Sequence, residues 1–408
     1  MSGQPGKNVS VRYKVESSFG SGASGGSGEV FRIQSGTGGL TMARALIEDP
    51  EVRKDGQRSM ARLGSRSVSG SYPGTLSVGT FNTWLAALFR NTWAATAVKF
   101  TCDGGAAHTS LATTLGNTLT LVGTDDFITT HGVRVGDVIR VGAMGAGVDN
   151  VNAVVATVAT SVITVLGTPW SNITADANAT FTVMKKITNG ATLTRSSYHI
   201  EEYFEDIDEA EEFVGNRVVF MKLTFQPDGV VKVEFGIMGQ TMSIGAAGGA
   251  TPVLTSPTEY TSIGLVAVDA QIYLAGVAIA TLTGGELTFD LGGQGVAVVG
   301  STLTPDIYEG PMKLTGQITA VRTILTGSHL ARFLAETDNV ELSLMFVEPD
   351  AAVPIDFVHV FVPRLKYLGD SSNLGDDGAL VETIPVYGAA KATTTGYDSA
   401  TATISTSA

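Results

Sequence analysis

Two overlapping glycine patterns offer the first possible chemistry. Gly20-Ser21-Gly22-Ala23-Ser24-Gly25 spells G-x-G-x-x-G, in which backbone N–H groups at a helix start cradle a dinucleotide phosphate. Gly22-Ala23-Ser24-Gly25-Gly26 spells G-x-S-x-G, the strained turn that exposes a nucleophilic serine. Both patterns need a helix opening directly behind them, and this Gly/Ser run has none, so neither chemistry is expected. Asp206-Ile207-Asp208 sits among eight carboxylates: Glu201, Glu202, Glu205, Asp206, Asp208, Glu209, Glu211 and Glu212. An EF-hand calcium loop needs a glycine at its centre that this run lacks. A glycosidase pair needs one carboxyl set apart by a raised pKa, whereas adjacent acids read as a solvated surface. The single cysteine, Cys102, excludes an internal disulfide and any cysteine-built zinc site. Five histidines (His108, His131, His199, His329 and His359) are scattered along the chain and leave little for metal or acid–base work. The residues point to no catalytic group, no cofactor and no metal.

The charge is unevenly placed. Residues 1–100 hold 12 Lys/Arg against 6 Asp/Glu, while residues 101–408 hold 14 against 33, and the whole chain of 408 residues carries −13. An acidic chain of this kind is repelled by nucleic acid at long range. The basic excess is densest at Arg44, Arg53, Lys54, Arg58, Arg62 and Arg66. Opposite patches on one chain suggest a subunit whose basic segment meets acidic groups of a neighbour.

The elements that must position these residues are mostly strands. Val9 to Glu16 and Glu29 to Gln34 alternate as strands, and residues 35–66 read as a long charged loop, broken by Pro50 and Gly56. One amphipathic helix stands out. Phe81, Trp84, Leu85, Leu88 and Phe89 fall on one face, with Thr80 as N-cap and Asn91 as the stop. From Val98 to Gly190 short Thr/Val/Ala-rich strands are punctuated by Gly132, Gly136, Gly142, Gly145 and Gly147. They suggest a small all-β domain inserted into a larger one. The larger domain resumes with Arg217–Phe225 and Val230–Ile237, joined through Gln226-Pro227-Asp228-Gly229. Ser328 to Glu336 reads as a short helix, and residues 389–408 as an extended C-terminal arm. The most apolar stretch, Ile263 to Leu282, carries Asp269 and Gln271 at its centre and Gly276 at a turn, so a strand pair is expected rather than a membrane span. The opening 28 residues lack the apolar core of a secretory signal, and a soluble protein is expected.

The order of blocks resembles the tail tube proteins of long non-contractile-tailed bacteriophages. Tyr13-Lys14-Val15-Glu16-Ser17-Ser18-Phe19-Gly20 is similar to that family's first strand. Gly64-Ser65-Arg66-Ser67-Val68-Ser69-Gly70, Leu76, Trp84 to Phe89 and Thr92-Trp93 are similar to its strand-plus-helix block. Gly215-Asn216-Arg217-Val218, Gly229 to Val233 and Phe235-Gly236-Ile237-Met238-Gly239 are the strongest match. Pro305-Asp306-Ile307, Gly310, Thr315-Gly316 and Pro363-Arg364-Leu365-Lys366-Tyr367 follow in order.

The resemblance implies an all-β tail-tube sandwich or barrel with one short helix, split by the inserted domain. Its divisions are residues 1–97 with the stacking loop 35–66, then 98–190, 191–388 and the arm 389–408. It further implies homo-hexameric rings stacked on copies of themselves, with other tail proteins at the tube ends. DNA passes the lumen without specific binding, no membrane is involved, and the subunit, assembled in the host cytoplasm, resides in the virion tail. Arg53, Lys54, Arg58 and Arg62 are then expected to meet acids of the adjacent ring, with Glu201, Glu202, Glu205 and Asp206 as the leading partners. The other reading is a β-rich surface adhesin or decoration protein that binds a ligand through the inserted domain.

Overall fold

A computed structural model describes residues 8–408 except 24, 35–36, 52, 146, 191, 245–251, 280, 323–331, 337–339, 349–354, 370, 373–378 and 392–395. The hub of the main body is the 17-residue strand Glu209–Phe225. Its first half pairs with Tyr198–Phe204 and Thr241–Ile244. Its second half pairs with Lys232–Gly239 and Leu282–Asp290. A register shift between Val218 and Phe220 separates the two halves, and such a bulge bends a strand so that it can serve two sheets. Gly236 lies opposite Phe220, where a Cβ would fall 1.8 Å from the ring, so only glycine lets that ring lie across the pair.

From this hub the pairing runs outward in two directions, antiparallel throughout. On one side Lys232–Gly239 pairs with Arg62–Thr75, which pairs with Gly39–Ile47. On the other, Leu282–Asp290 leads through Lys313–Val321 and Val381–Gly388 to Phe357–Tyr367. That strand also pairs with Val340–Val347 and Thr403–Thr406, and Thr403–Thr406 pairs with Lys185–Thr188. The main body is all-β around one core, and among the described residues these pairings form an open, branched sheet rather than a closed barrel.

The helix, Asn82–Phe89, lies on this core. Trp84 is fully buried, stacked on Tyr198 at 5.6 Å and edge-on to Tyr13 and Phe31 at 4.9 Å each. Phe81, Leu85, Leu88 and Phe89 are buried beside it, and fully burying each large apolar side chain stabilises by about 1.5–3 kcal/mol. The helix termini differ from the expected ones by one residue. Phe81, not Thr80, is the N-cap, because the Thr80 hydroxyl bonds Ser77 at 2.7 Å and Ser262 at 3.0 Å instead. The stop is Arg90, in the left-handed region, whose N–H reaches the Ala87 carbonyl.

A second sheet of eight antiparallel strands spans Ala97–Thr101 to Thr180–Val183 and has its own core, including Leu111, Leu119, Phe127, Ile139, Ile163 and Phe181. It touches the main body where Val138, Val154 and Met184 meet Met345 and Phe357. The Lys186 ammonium bridges Asp137 at 2.6 Å and Asp398 at 3.1 Å across the same seam. The strand Lys185–Thr188 belongs to the main body by its pairing, so the boundary at 190 read from the sequence overshoots.

One further expectation is corrected. Residues 35–66 are not one loop: Gly39–Ile47 and the start of Arg62–Thr75 form a β-hairpin, and only its tip is irregular. Within the expected arm 389–408, Thr403–Thr406 is an extended strand, paired on both sides and buried, and Asn82 Nδ2 holds the Ala408 carbonyl at 3.1 Å. Of the expected helix Ser328–Glu336, residues 328–331 lie outside the described residues and 332–334 are helical.

Candidate functional site

The hairpin is anchored at its base and exposed at its end. At the base the Glu202 carboxylate accepts the Leu40 N–H at 2.8 Å and the Tyr72 hydroxyl at 2.6 Å. Burial and the Glu202 charge push the Tyr72 hydroxyl well above its ordinary pKa, so it stays a proton donor to that carboxylate. Toward the tip Leu46, Ile47 and Leu63 are 61%, 57% and 55% exposed, and Met60 is 92% exposed. Such a cluster in water marks a contact surface. The Gly39–Ile47 strand has, among the described residues, no partner on its outer side, which leaves an open row of backbone donors and acceptors.

The charges at the tip are largely matched within it. Arg53 pairs with Asp55 and Arg58 with Glu48, each at 2.9 Å. With Lys54 and Arg62 added on one side and Asp49 and Glu51 on the other, the segment holds four bases and four acids, so the tip is charge-balanced rather than basic. The acidic run also divides. Glu201 is fully buried, accepting the Leu254 N–H at 3.1 Å and standing 3.1 Å from His199 Nε2. Glu202 is committed to the hairpin base. Glu201 is thereby withdrawn from the surface, while Glu202 stays partly exposed. Glu205 and Asp206 lie exposed in the turn after that strand, where Asn8 Nδ2 donates to Asp206 at 2.7 Å. The Asp206-Ile207-Asp208 triplet is this hairpin turn, with Asp208 in the left-handed region and accepting the Tyr203 hydroxyl at 2.8 Å.

The glycine tract does cradle an anion, but an internal one. The buried Glu16 carboxylate accepts the Gly20, Gly22 and Gly215 N–H groups at 3.0, 3.1 and 2.9 Å and the Ser197 hydroxyl at 2.6 Å. Gly20 and Gly22 have φ of 73° and 69°, which is what turns their N–H groups inward.

The subunit is thus all-β, with an open edge strand and an apolar hairpin end among the described residues. A family model described as phage tail tube protein matches residues 6–405. The chain belongs to the phage tail tube protein family. No curated protein sequence matches it. As a member of that family it is a structural protein of the virion tail that assembles with itself and with other tail proteins. No helix among the described residues is long and apolar enough to cross a membrane.

This tube protein holds one cluster that the sequence did not signal. His108, Asp125 and His131 converge in the second sheet, with one ligand-type atom of each within 4.8 Å of the others. Of the remaining histidines, His199 faces Glu201 and His359 contacts Ser343 at 2.9 Å, both buried. His329 lies outside the described residues.

Proposed function

We propose that copies of this chain close into six-membered rings, edge to edge, and that the rings stack into a tube that conducts phage DNA to the host. The observation that carries this reading is the hairpin of Gly39–Ile47 and Arg62–Thr75 on a tail tube chain. It combines an unpaired edge with exposed Leu46, Ile47, Met60 and Leu63. An unpaired edge is an aggregation hazard in a monomer, and closure of a ring turns it into a specific interface. The hairpin end reaches the adjacent ring, where apolar burial supplies the affinity. Arg53, Lys54, Arg58 and Arg62, with Glu205 and Asp206 among their partners, set the register.

The eight-stranded sheet lies on the tube exterior, a placement supported by its separate core. The lumen is net neutral or negative, in line with the 33 acids against 14 bases in residues 101–408, so DNA slides without phosphate-holding contacts. Assembly takes place in the host cytoplasm. Negative-stain microscopy of the purified protein tests the reading: tubes with a central hole are expected. A particle that stays monomeric at high concentration contradicts it.

A further inference from the structure

We propose that His108, Asp125 and His131 form a binding site for a divalent transition-metal ion, with Zn²⁺ the best fit. The fold assembles the three residues at one end of the second sheet. Ser110–Thr114 and Thr118–Val122 form a hairpin with Ser110 opposite Val122, so the segments before and after it emerge side by side. His108 lies on the first and Asp125 on the second. Backbone bonds lock the two segments together, Thr124 N–H to Ala106 O at 2.9 Å and Thr109 N–H to Val122 O at 2.8 Å. A turn then returns the chain, and the His131 N–H reaches the Asp126 carbonyl at 3.2 Å.

The neighbouring carboxylate is already committed. Asp126 accepts the Ile128 N–H and the Thr129 hydroxyl within its own turn. Asp125 instead points one oxygen, Oδ2, at both imidazoles: 2.8 Å to His108 Nε2 and 3.4 Å to His131 Nε2. Despite those distances both Nε2 atoms are buried and neither makes a hydrogen bond of acceptable geometry. His131 is only 7% exposed, so its unpartnered nitrogen is turned into the cluster without solvent to satisfy it.

The spacing also has room for a metal ion. Nitrogen and oxygen ligands about 2.0–2.1 Å from a tetrahedral Zn²⁺ lie about 3.3 Å apart, and 2.8 and 3.4 Å bracket that separation. Two imidazoles and a carboxylate suit Zn²⁺ and its late first-row neighbours rather than Ca²⁺ or Mg²⁺. Phe100 stacks on His108 at 4.5 Å and packs on His131 at 4.7 Å, which fixes both ring planes. The side chains of His108 and Asp125 are 21% and 26% exposed, so a fourth position opens to water. The ion would tie the segment before Ser110 to the turn after Val122 and stiffen that end of the sheet.

Calorimetric titration of the untagged, chelator-treated full-length protein with Zn²⁺ tests the site. One ion per chain is expected, and Asp125→Asn and His108→Gln should each weaken binding roughly tenfold or more. X-ray absorption of the wild-type Zn²⁺ protein should report two imidazole nitrogens in the first shell, and this readout stands even if the variants fail to fold. Absence of stoichiometric binding in the wild type overturns the proposal. So does undiminished binding in folded variants, or a shell without two imidazoles.

Discussion

Replacing Leu46, Ile47, Met60 and Leu63 together by serine should cripple tube elongation and leave the subunit folded. A fully buried Leu, Ile or Met gains about 1.5–3 kcal/mol over an exposed one. Each of these four keeps more than half of its surface in water in the subunit. About 1 kcal/mol or more per side chain therefore remains to be gained at a ring–ring contact. Ordering the hairpin end and its rotamers offsets part of that, leaving about 3 kcal/mol per hairpin, or roughly a hundredfold in association. The concentration at which tubes begin to pellet should rise by about that factor, read by sedimentation across a dilution series. Thermal unfolding should move little, since exposed substitutions usually stay within about 0.5 kcal/mol. Reversing Arg53, Arg58 and Arg62 to Glu should act more weakly and depend on salt, because exposed ion pairs are worth about 0–1 kcal/mol. Two of these arginines, Arg53 and Arg58, already have partners in the hairpin. Unchanged pelleting of the serine variant, alongside abolition by charge reversal alone, would refute the apolar account.

Three more outcomes follow from buried polar groups. Glu16→Gln places an N–H₂ among four donors and should cost about 2–3 kcal/mol in urea unfolding; an unshifted midpoint would show that the glycine cradle is not structural. Burial pushes His359 down to about 3 from an ordinary 6.5, so between those values the unfolded chain binds a proton that the folded one does not. Stability should therefore fall on acidification, by roughly 2 kcal/mol from about pH 7 to about pH 5, and His359→Gln should flatten the slope. The Cys102 thiol, 2% exposed and pushed up by burial to about 11, should resist iodoacetamide in the folded protein and react on unfolding. Rapid labelling under native conditions would contradict that.

Local periodicity carried much of the fold. The stripe Phe81, Trp84, Leu85, Leu88 and Phe89 marks the helix because packing selects every third or fourth residue. Asp228, with φ of 54°, makes the turn after Phe225 that the Pro-Asp-Gly run signals. What escaped depends on distant partners. Thr403–Thr406 resembles a polar tail until Lys185–Thr188 and Phe357–Tyr367 flank it. Gly39–Ile47 hides its alternation because its outer half has no core to face. Glu201 and Glu202 read as surface because nothing in the sequence places the Leu254 and Leu40 N–H groups against them. His108 and His131 are too far apart along the chain to form a motif; a strand hairpin and a turn join them.

Helical reconstruction by electron cryo-microscopy of tubes grown from the purified chain measures the central claim directly. The account predicts six subunits per ring around an open channel. The Gly39–Ile47 and Arg62–Thr75 hairpin should cross to the next ring, with Leu46, Ile47, Met60 and Leu63 buried there. A tube in which that hairpin points into solvent, or an assembly without a continuous channel, would contradict it.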